Sequence, residues 1–282
     1  MQDPPDEALG AWFAQLELWD RLRAAPDEAP QVVRYGPGAE RVADLWLPSG
    51  PGPHPVVVSL HGGFFRGEYR RNLHDSISRE LSRGGVAVLN VEYRRIGCGG
   101  GPVTTTADVW AAVDWVAGKP WAIADRVAVF GHSAGGYLAA WLANHPLVDL
   151  AVVLAGVTDL VDSSISGNDG GAIADWLGVR SHDADAFDQA AFDQAAFDQA
   201  ALAGRLPTGA RLVFIHGDLD LTVPSGQSIR FAAAAIAAGD AVQLDVLPND
   251  GHYAFLDPRE PAFEVVREHL MVWAEAIRSF VI

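Results

Sequence analysis

Short apolar runs and amphipathic stretches alternate along this chain, and the alternation becomes regular after position 55. Residues 56–60, 86–91, 127–130, 150–154, 211–215 and 242–247 are compact, mostly apolar runs of the length and character of buried strands. Between them, residues 72–83, 105–116, 136–144 and 228–238 carry helical patterns. Two β-like runs, 31–35 and 41–47, precede this series. A last stripe of Phe263, Val266, Leu270, Trp273, Ile277 and Phe280, opened by Pro261, closes it as a helix. Apolar strands separated by helices predict an α/β fold: a mostly parallel sheet covered by helices on both faces.

Three stretches stand outside that rhythm. Within residues 1–30, Leu9, Trp12, Phe13, Leu16, Trp19 and Leu22 recur at spacings of three and four, predicting an amphipathic N-terminal helix. Its apolar stripe suits either a cover for the sheet edge or the contact of a homodimer. Residues 48–55, four of them proline, form a loop. Residues 157–207 are polar and rich in Asp and Ala, and read as a helical cap inserted into a single domain spanning 1–282. The insertion contains the pentapeptide Ala186-Phe187-Asp188-Gln189-Ala190 three times in tandem, through Ala200. Helical steps of five residues turn by about 140° each, so Phe187, Phe192 and Phe197 cannot share a coiled-coil seam. The repeat is either a duplication inside the insertion or part of a lid that sets one phenylalanine against a ligand.

Candidate chemistry begins at Gly131-His132-Ser133-Ala134-Gly135-Gly136, between the strand at 127–130 and the helix at 136–144. G-x-S-x-G in a strand–turn–helix context is the nucleophile elbow. A sharp turn brings backbone segments together around a strained serine, and glycine tolerates such contacts at little cost. A serine hydroxyl needs a base to take its proton and a carboxylate to orient that base. In chain order the acid follows the serine and the histidine comes last. The strand at 211–215 runs into His216-Gly217-Asp218-Leu219-Asp220, and the strand at 242–247 into Pro248-Asn249-Asp250-Gly251-His252. His252 is the candidate base. Asp220, deeper in its loop, is preferred as the acid over Asp218, which reads as a loop-stabilising residue. His54, His74 and His269 lack any such context and read as surface residues.

Negative charge that develops on a substrate oxygen needs fixed amide donors. Ala134 after the serine, and Gly63 and Phe64 in the loop His61-Gly62-Gly63-Phe64-Phe65, are the candidates. Among several aromatics, Phe65 and Tyr253 are the best candidates for substrate contact.

With these residues the chain, from about position 32 onward, resembles an α/β-hydrolase of the esterase and lipase kind. Within that superfamily, His61-Gly62-Gly63-Phe64-Phe65 resembles the H-G-G-aromatic-aromatic loop of kynurenine formamidases and related small carboxylesterases. So do Asn90-Val91-Glu92-Tyr93-Arg94-Arg95 and His216-Gly217-x-x-Asp220-x-x-Val223-Pro224, the latter again favouring Asp220. The hormone-sensitive-lipase group is similar too, although its third oxyanion glycine is Phe64 here. The resemblance implies an eight-stranded sheet and hydrolysis of small esters through an acyl-enzyme on Ser133, with no metal or organic cofactor. The alternative is an arylformamidase acting on N-formylkynurenine. A peptidase of the prolyl-oligopeptidase kind and a non-catalytic binding protein on the same fold are the weaker alternatives.

Composition narrows the partners. Asp plus Glu number 36 against 20 Lys plus Arg, a formal charge of −16. That surface repels nucleic acid and anionic membranes, leaving a small-molecule substrate as the expected partner. The single cysteine, Cys98, excludes a disulfide framework, and its glycine-rich loop gives it no evident role. The acidic start, Met1-Gln2-Asp3-Pro4-Pro5-Asp6-Glu7, is unlike a secretory signal, and no apolar run approaches the ~18 residues of a membrane span. The expected location is cytoplasmic.

Overall fold

The structure is a computed structural model that describes residues 28–166, 169–179 and 198–279. The N-terminal stripe, Phe280 and residues 186–197 of the repeat lie outside the described residues. Eight strands form one sheet: β1 (Gln31–Arg34), β2 (Val42–Trp46), β3 (His54–Leu60), β4 (Ala87–Val91), β5 (Ala122–His132), β6 (Val148–Leu154), β7 (Arg211–Gly217) and β8 (Val242–Leu247). Their order is β1-β2-β4-β3-β5-β6-β7-β8. β1 pairs antiparallel with β2 and β2 with β4, and every other pairing is parallel. The mostly parallel sheet is the one that the alternation of the sequence predicts, in the eight-stranded α/β-hydrolase arrangement that the resemblance implies.

Seven α-helices lie among the described residues: α1 (Asp75–Arg83), α2 (Pro102–Val116), α3 (Ala134–Leu142), α4 (Leu160–Ser166), α5 (Ala172–Leu177), α6 (Gly226–Ala238) and α7 (Pro261–Ser279). The period-two geometry of the strands splits the core into two layers. Val56, Val58 and Leu60 of β3 face one way, packing in a cluster with Val109 and Val113 of α2, Leu138 of α3 and Phe231 of α6. Val57 faces the other way, in a cluster with Ile77 and Leu81 of α1 and Phe263, Val266 and Leu270 of α7. Each central strand is therefore buried on both faces, which is why its sequence is apolar at consecutive positions rather than at alternate ones. None of the described helices is long and apolar enough to cross a membrane.

Two expectations need correction. The run 242–247 has the apolar look of a buried strand, but β8 is the edge of the sheet and most of it is half-buried. His74 is not a surface residue. It ends a 3-10 turn, Arg71–His74, and is fully buried, with Nδ1 2.8 Å from Ser59 Oγ and its ring stacked on Phe130 at 5.6 Å. Burial, with His132 and His61 nearby, pushes its pKa well below the ordinary value, so the ring is neutral. The neighbouring Arg70, Arg71, Asn72 and Asp75 give the segment a polar look along the chain, and only the folded sheet supplies its apolar neighbour.

The strand order also places the site. From β3 the chain moves outward to β4, then returns across β3 to β5 and continues in the opposite direction. The C-terminal ends of β3 and β5 therefore flank the point where the sheet's winding reverses, the usual crevice for ligands in open α/β sheets. Gly62 follows β3, and Ser133 follows β5.

Candidate active site

Ser133 joins β5 to α3 with φ 56° and ψ −118°, a conformation that a residue with a side chain adopts only at a cost. The surroundings hold it there. Its amide donates to the Leu154 carbonyl at 2.9 Å, and its own carbonyl accepts from Gly136 (2.9 Å), Tyr137 (3.2 Å) and Val157 (3.2 Å). The glycines are demanded by contact. A methyl group on Gly131 would sit 1.9 Å from the Gly135 carbonyl oxygen, and one on Gly135 2.0 Å from that of Leu60. The elbow is thus wedged against the end of β3.

The acid and the base approach from the far side. Asp220, its side chain fully buried, accepts the Thr222 and Val223 amides on Oδ1 at 2.8 Å each. Its Oδ2 lies 2.6 Å from His252 Nδ1 and 3.1 Å from His216 Nε2. Burial disfavours the charged carboxylate, but the hydrogen bonds from His216 and His252 and the His252 charge outweigh it and hold the pKa well below the usual range. Asp218 instead accepts the Asn249 amide at 2.7 Å and ties the two loops together. They cross so closely that a methyl on Gly217 would lie 2.1 Å from the Asp250 carbonyl oxygen. The structure therefore brings Asp220, and not Asp218, to His252.

The third wall is the loop after β3. Gly63, Phe64 and Phe65 have φ of 111°, 53° and 57°, three consecutive residues in the left-handed region. The amides of Phe64, Gly63 and Ala134 donate to no acceptor among the described residues, and unpartnered donors at a cleft are what a developing oxyanion requires. A buried polar cluster supports the loop from below. Tyr93 donates its hydroxyl to the His61 carbonyl at 2.6 Å and stacks on the His61 ring at 4.4 Å. The His61 ring lies 2.8 Å from the Gly62 carbonyl oxygen and 3.2 Å from Glu92 Oε1. Arg95, fully buried, pairs with Glu92 at 2.8 Å and donates to the Tyr69 carbonyl. Burial opposes the Glu92 charge, yet His61 and Arg95 keep its pKa below the ordinary value.

Sequence reasoning left out one further histidine of this kind. His132 Nε2 lies 2.7 Å from the carbonyl oxygen of His252, so it carries the hydrogen and donates. Burial, and then the neighbouring His252, lower its pKa to about 3, which keeps it neutral. His132 is an unspecified letter of the elbow motif, and His216, although it opens the motif around Asp220, receives no role from that spacing.

Two small cavities open on this centre, separated by Phe64. One is bounded by Ser133, His252, Gly63, Tyr69, Tyr253 and Leu256. The other is bounded by Phe64, Phe65, Ala134, Val157, Ile173 and Val223. Tyr253 thus stands on the side of His252, edge-on to its ring at 4.8 Å. Phe65 is 1% exposed, stacked on Trp176 at 4.1 Å, and forms the floor of the second cavity rather than its rim. Among the described residues no group of His, Cys, Asp and Glu is arranged to hold a metal ion.

Solved structures with the same architecture carry esterases. Esterase B from Lactobacillus rhamnosis superposes with a TM-score of 0.75 at 20% identity, covering 96% of this chain and 94% of its own. A truncated carbohydrate esterase from gut microbiota gives 0.72 at 17% identity, over 89% and 99%. A thermophilic esterase from Thermogutta terrifontis, with propionate bound, gives 0.70 at 18% identity, over 89% and 96%. At these identities the likeness is one of fold. The sequence itself matches the model of the prolyl oligopeptidase family over residues 84–277, well over half its length, and the chain belongs to that family.

Proposed function

We propose that the protein is a serine carboxylesterase that cleaves small, uncharged esters through an acyl-enzyme. The observation that carries this reading is the convergence of Ser133 and His252 on one cavity, with the Asp220 carboxylate 2.6 Å from His252 Nδ1. Ser133 attacks the acyl carbon, and His252 Nε2 accepts its proton. Asp220 holds the imidazole with Nδ1 protonated and stabilises the imidazolium. The amides of Phe64, Gly63 and Ala134 receive the oxyanion. His252 then protonates the leaving alcohol, and a water activated by the same ring releases the acid.

In this reading each of the two cavities takes one half of the substrate. The leaving group must take a proton from His252, so it occupies the cavity that His252 and Tyr253 line. The acyl group then lies over Ala134 toward Phe65 and Ile173. A cavity this small and apolar suits a short acyl chain, and the propionate-bound Thermogutta terrifontis esterase supports that choice.

Residues 157–207 act in this reading as a cap, of which α4 and α5 are described. Membership of the prolyl oligopeptidase family keeps peptide hydrolysis as a competing activity, and the motifs around His61 and Asp220 keep formamide hydrolysis as another. The test is turnover of p-nitrophenyl acetate and butyrate beside N-formylkynurenine and a prolyl p-nitroanilide, by wild type and Ser133→Ala. Ester turnover that dominates and disappears in the variant is expected. A kcat/KM for the formamide or the anilide far above the esters would replace the reading, and activity surviving in Ser133→Ala would remove the nucleophile.

A further inference from the structure

His216 closes β7, is fully buried and borders neither cavity. Its Nε2 lies 2.8 Å from the Val223 carbonyl oxygen and 3.1 Å from Asp220 Oδ2. A carbonyl and an ionised carboxylate can only accept, so Nε2 carries the hydrogen and shares it between them. On the opposite edge Nδ1 lies 2.8 Å from Ser228 Oγ in α6, whose hydroxyl donates to it in the neutral ring. Strand, loop and helix therefore fix the plane and the tautomer of this ring together.

The consequence falls on Asp220. Its Oδ1 is committed to the Thr222 and Val223 amides, so the carboxylate cannot turn. Oδ2 is left to two histidines: His252, which moves protons, and His216, which touches no substrate cavity. We propose that His216 is a positioning residue for the Ser133–His252–Asp220 centre, a second donor that fixes Oδ2 and sets how much of its charge His252 meets. The proposal rests on the reading of that centre given above. The titratable groups facing the ring are Asp220 on its own loop, His252 on the β8 loop and His132 on the elbow, while α6 contributes the uncharged Ser228.

The sign follows from the shared oxygen. Without the His216 hydrogen bond, more negative charge on Oδ2 faces His252 and favours its imidazolium, so the acid limb of kcat/KM moves to higher pH. The orientation of His252 is also less fixed, which lowers kcat. KM is unaffected, because the ring borders no cavity.

The experiment compares wild type, His216→Leu and His216→Gln on p-nitrophenyl acetate across pH, with thermal melts to establish folding. His216→Leu is expected to lose kcat roughly tenfold, the value of one hydrogen bond to a charged group. Its acid limb should rise by about half a pH unit or more. His216→Gln, whose amide N–H reaches toward the same oxygens, should recover most of kcat and return the limb. A folded His216→Leu with wild-type kcat and limb overturns the proposal, as does equal loss in both variants with the limb unmoved. If His216→Leu fails to fold, Ser228→Ala, which frees the ring without removing it, must move the limb the same way, and an unmoved limb is again fatal.

A second readout needs no substrate. The downfield proton on His252 Nδ1, assigned by its loss in Asp220→Asn, should titrate at higher pH in His216→Leu. Absent ester turnover by the wild type would sink the reading of the centre, whereas an unmoved proton would sink the role of His216 alone.

Discussion

Two carboxylates, Asp220 after β7 and Asp75 at the start of α1, show how a side chain's surroundings decide its charge. Asp220 has backbone and histidine donors around it and stays ionised despite burial. Asp75, at the start of α1, is pushed up to about 7 from the ordinary 3.8 by burial and then by the charge of Asp44, against which Arg71 and the Asn90 amide work only partly. For an acid whose folded pKa is raised, stability is greatest below the unfolded pKa and is lost as pH rises through the folded one. The urea midpoint of the wild type should therefore decline from about pH 4 to about pH 7 more steeply than that of Asp75→Asn, which keeps an oxygen for Asn90. Parallel curves for the two proteins would show that Asp75 does not titrate in this window. Contact rather than charge rules at Gly135. A methyl there would meet the Leu60 and His61 carbonyl oxygens at 2.0 and 2.6 Å, both backbone atoms that cannot move without parting the elbow from the oxyanion loop. Gly135→Ala should cost about 3 kcal/mol or more, beyond the usual penalty for overpacking, and lose esterase activity with it. A variant that melts like the wild type would contradict the wedge.

At the scale of elements, the sequence is informative where one periodicity runs long enough and silent where geometry comes from elsewhere. Five of the six apolar runs and the four helical stretches survive as strands and helices because each is buried continuously or along one face, while the sixth run, 242–247, survives as the half-buried edge strand β8. β5 begins at Ala122, well before its apolar run, because the register breaks between Pro55 and Val56 and the polar Asp125 and Arg126 lie in the irregular stretch. α4 and α5 have seven and six residues, too short for a stripe to be read. In the proposed reading their placement bounds the acyl side. Trp176 of α5 is buried, stacks on Phe65 at 4.1 Å and donates its indole N–H to Thr105 Oγ1 at 3.1 Å, so α5 forms the floor beneath Phe65. Trp176→Ala should move the kcat/KM optimum on p-nitrophenyl esters toward longer acyl chains, at a stability cost of about 3–5 kcal/mol. An unchanged chain-length profile in a folded variant would place the acyl group elsewhere. The same limit explains the missed histidines. The motifs around Ser133 and Asp220 were legible as letters, but the His132–His252 contact and the meeting of His216 and His252 on Asp220 exist only once β5 to β8 lie in one sheet.

At the scale of the whole molecule, the reversal of strand order brings the ends of β3 and β5 together, in a chain whose formal charge is −16. Within the site the Asp220 and Glu92 carboxylates are ionised, and Asp169 adjoins the acyl cavity, although its oxygens accept the Gly171 and Ile173 amides. Such a field acts little on a neutral ester and opposes an anionic one. The opposition is screened over the Debye length, about 10 Å at 0.1 M salt, so it should be large in dilute buffer and small at high ionic strength. p-Nitrophenyl butyrate and p-nitrophenyl hemisuccinate have the same chain length and leaving group and differ by one carboxylate, which isolates this effect from pocket fit. The kcat/KM of the hemisuccinate should rise with sodium chloride while that of the butyrate stays nearly level, narrowing the gap between them. Self-repulsion of the folded chain has the same origin, so the melting temperature should rise over the same salt range. A hemisuccinate rate that falls with salt would mean that a local cation attracts the substrate. Arg66, which donates to the Asp169 and Gly170 carbonyls beside the acyl cavity, would then be the first residue to replace.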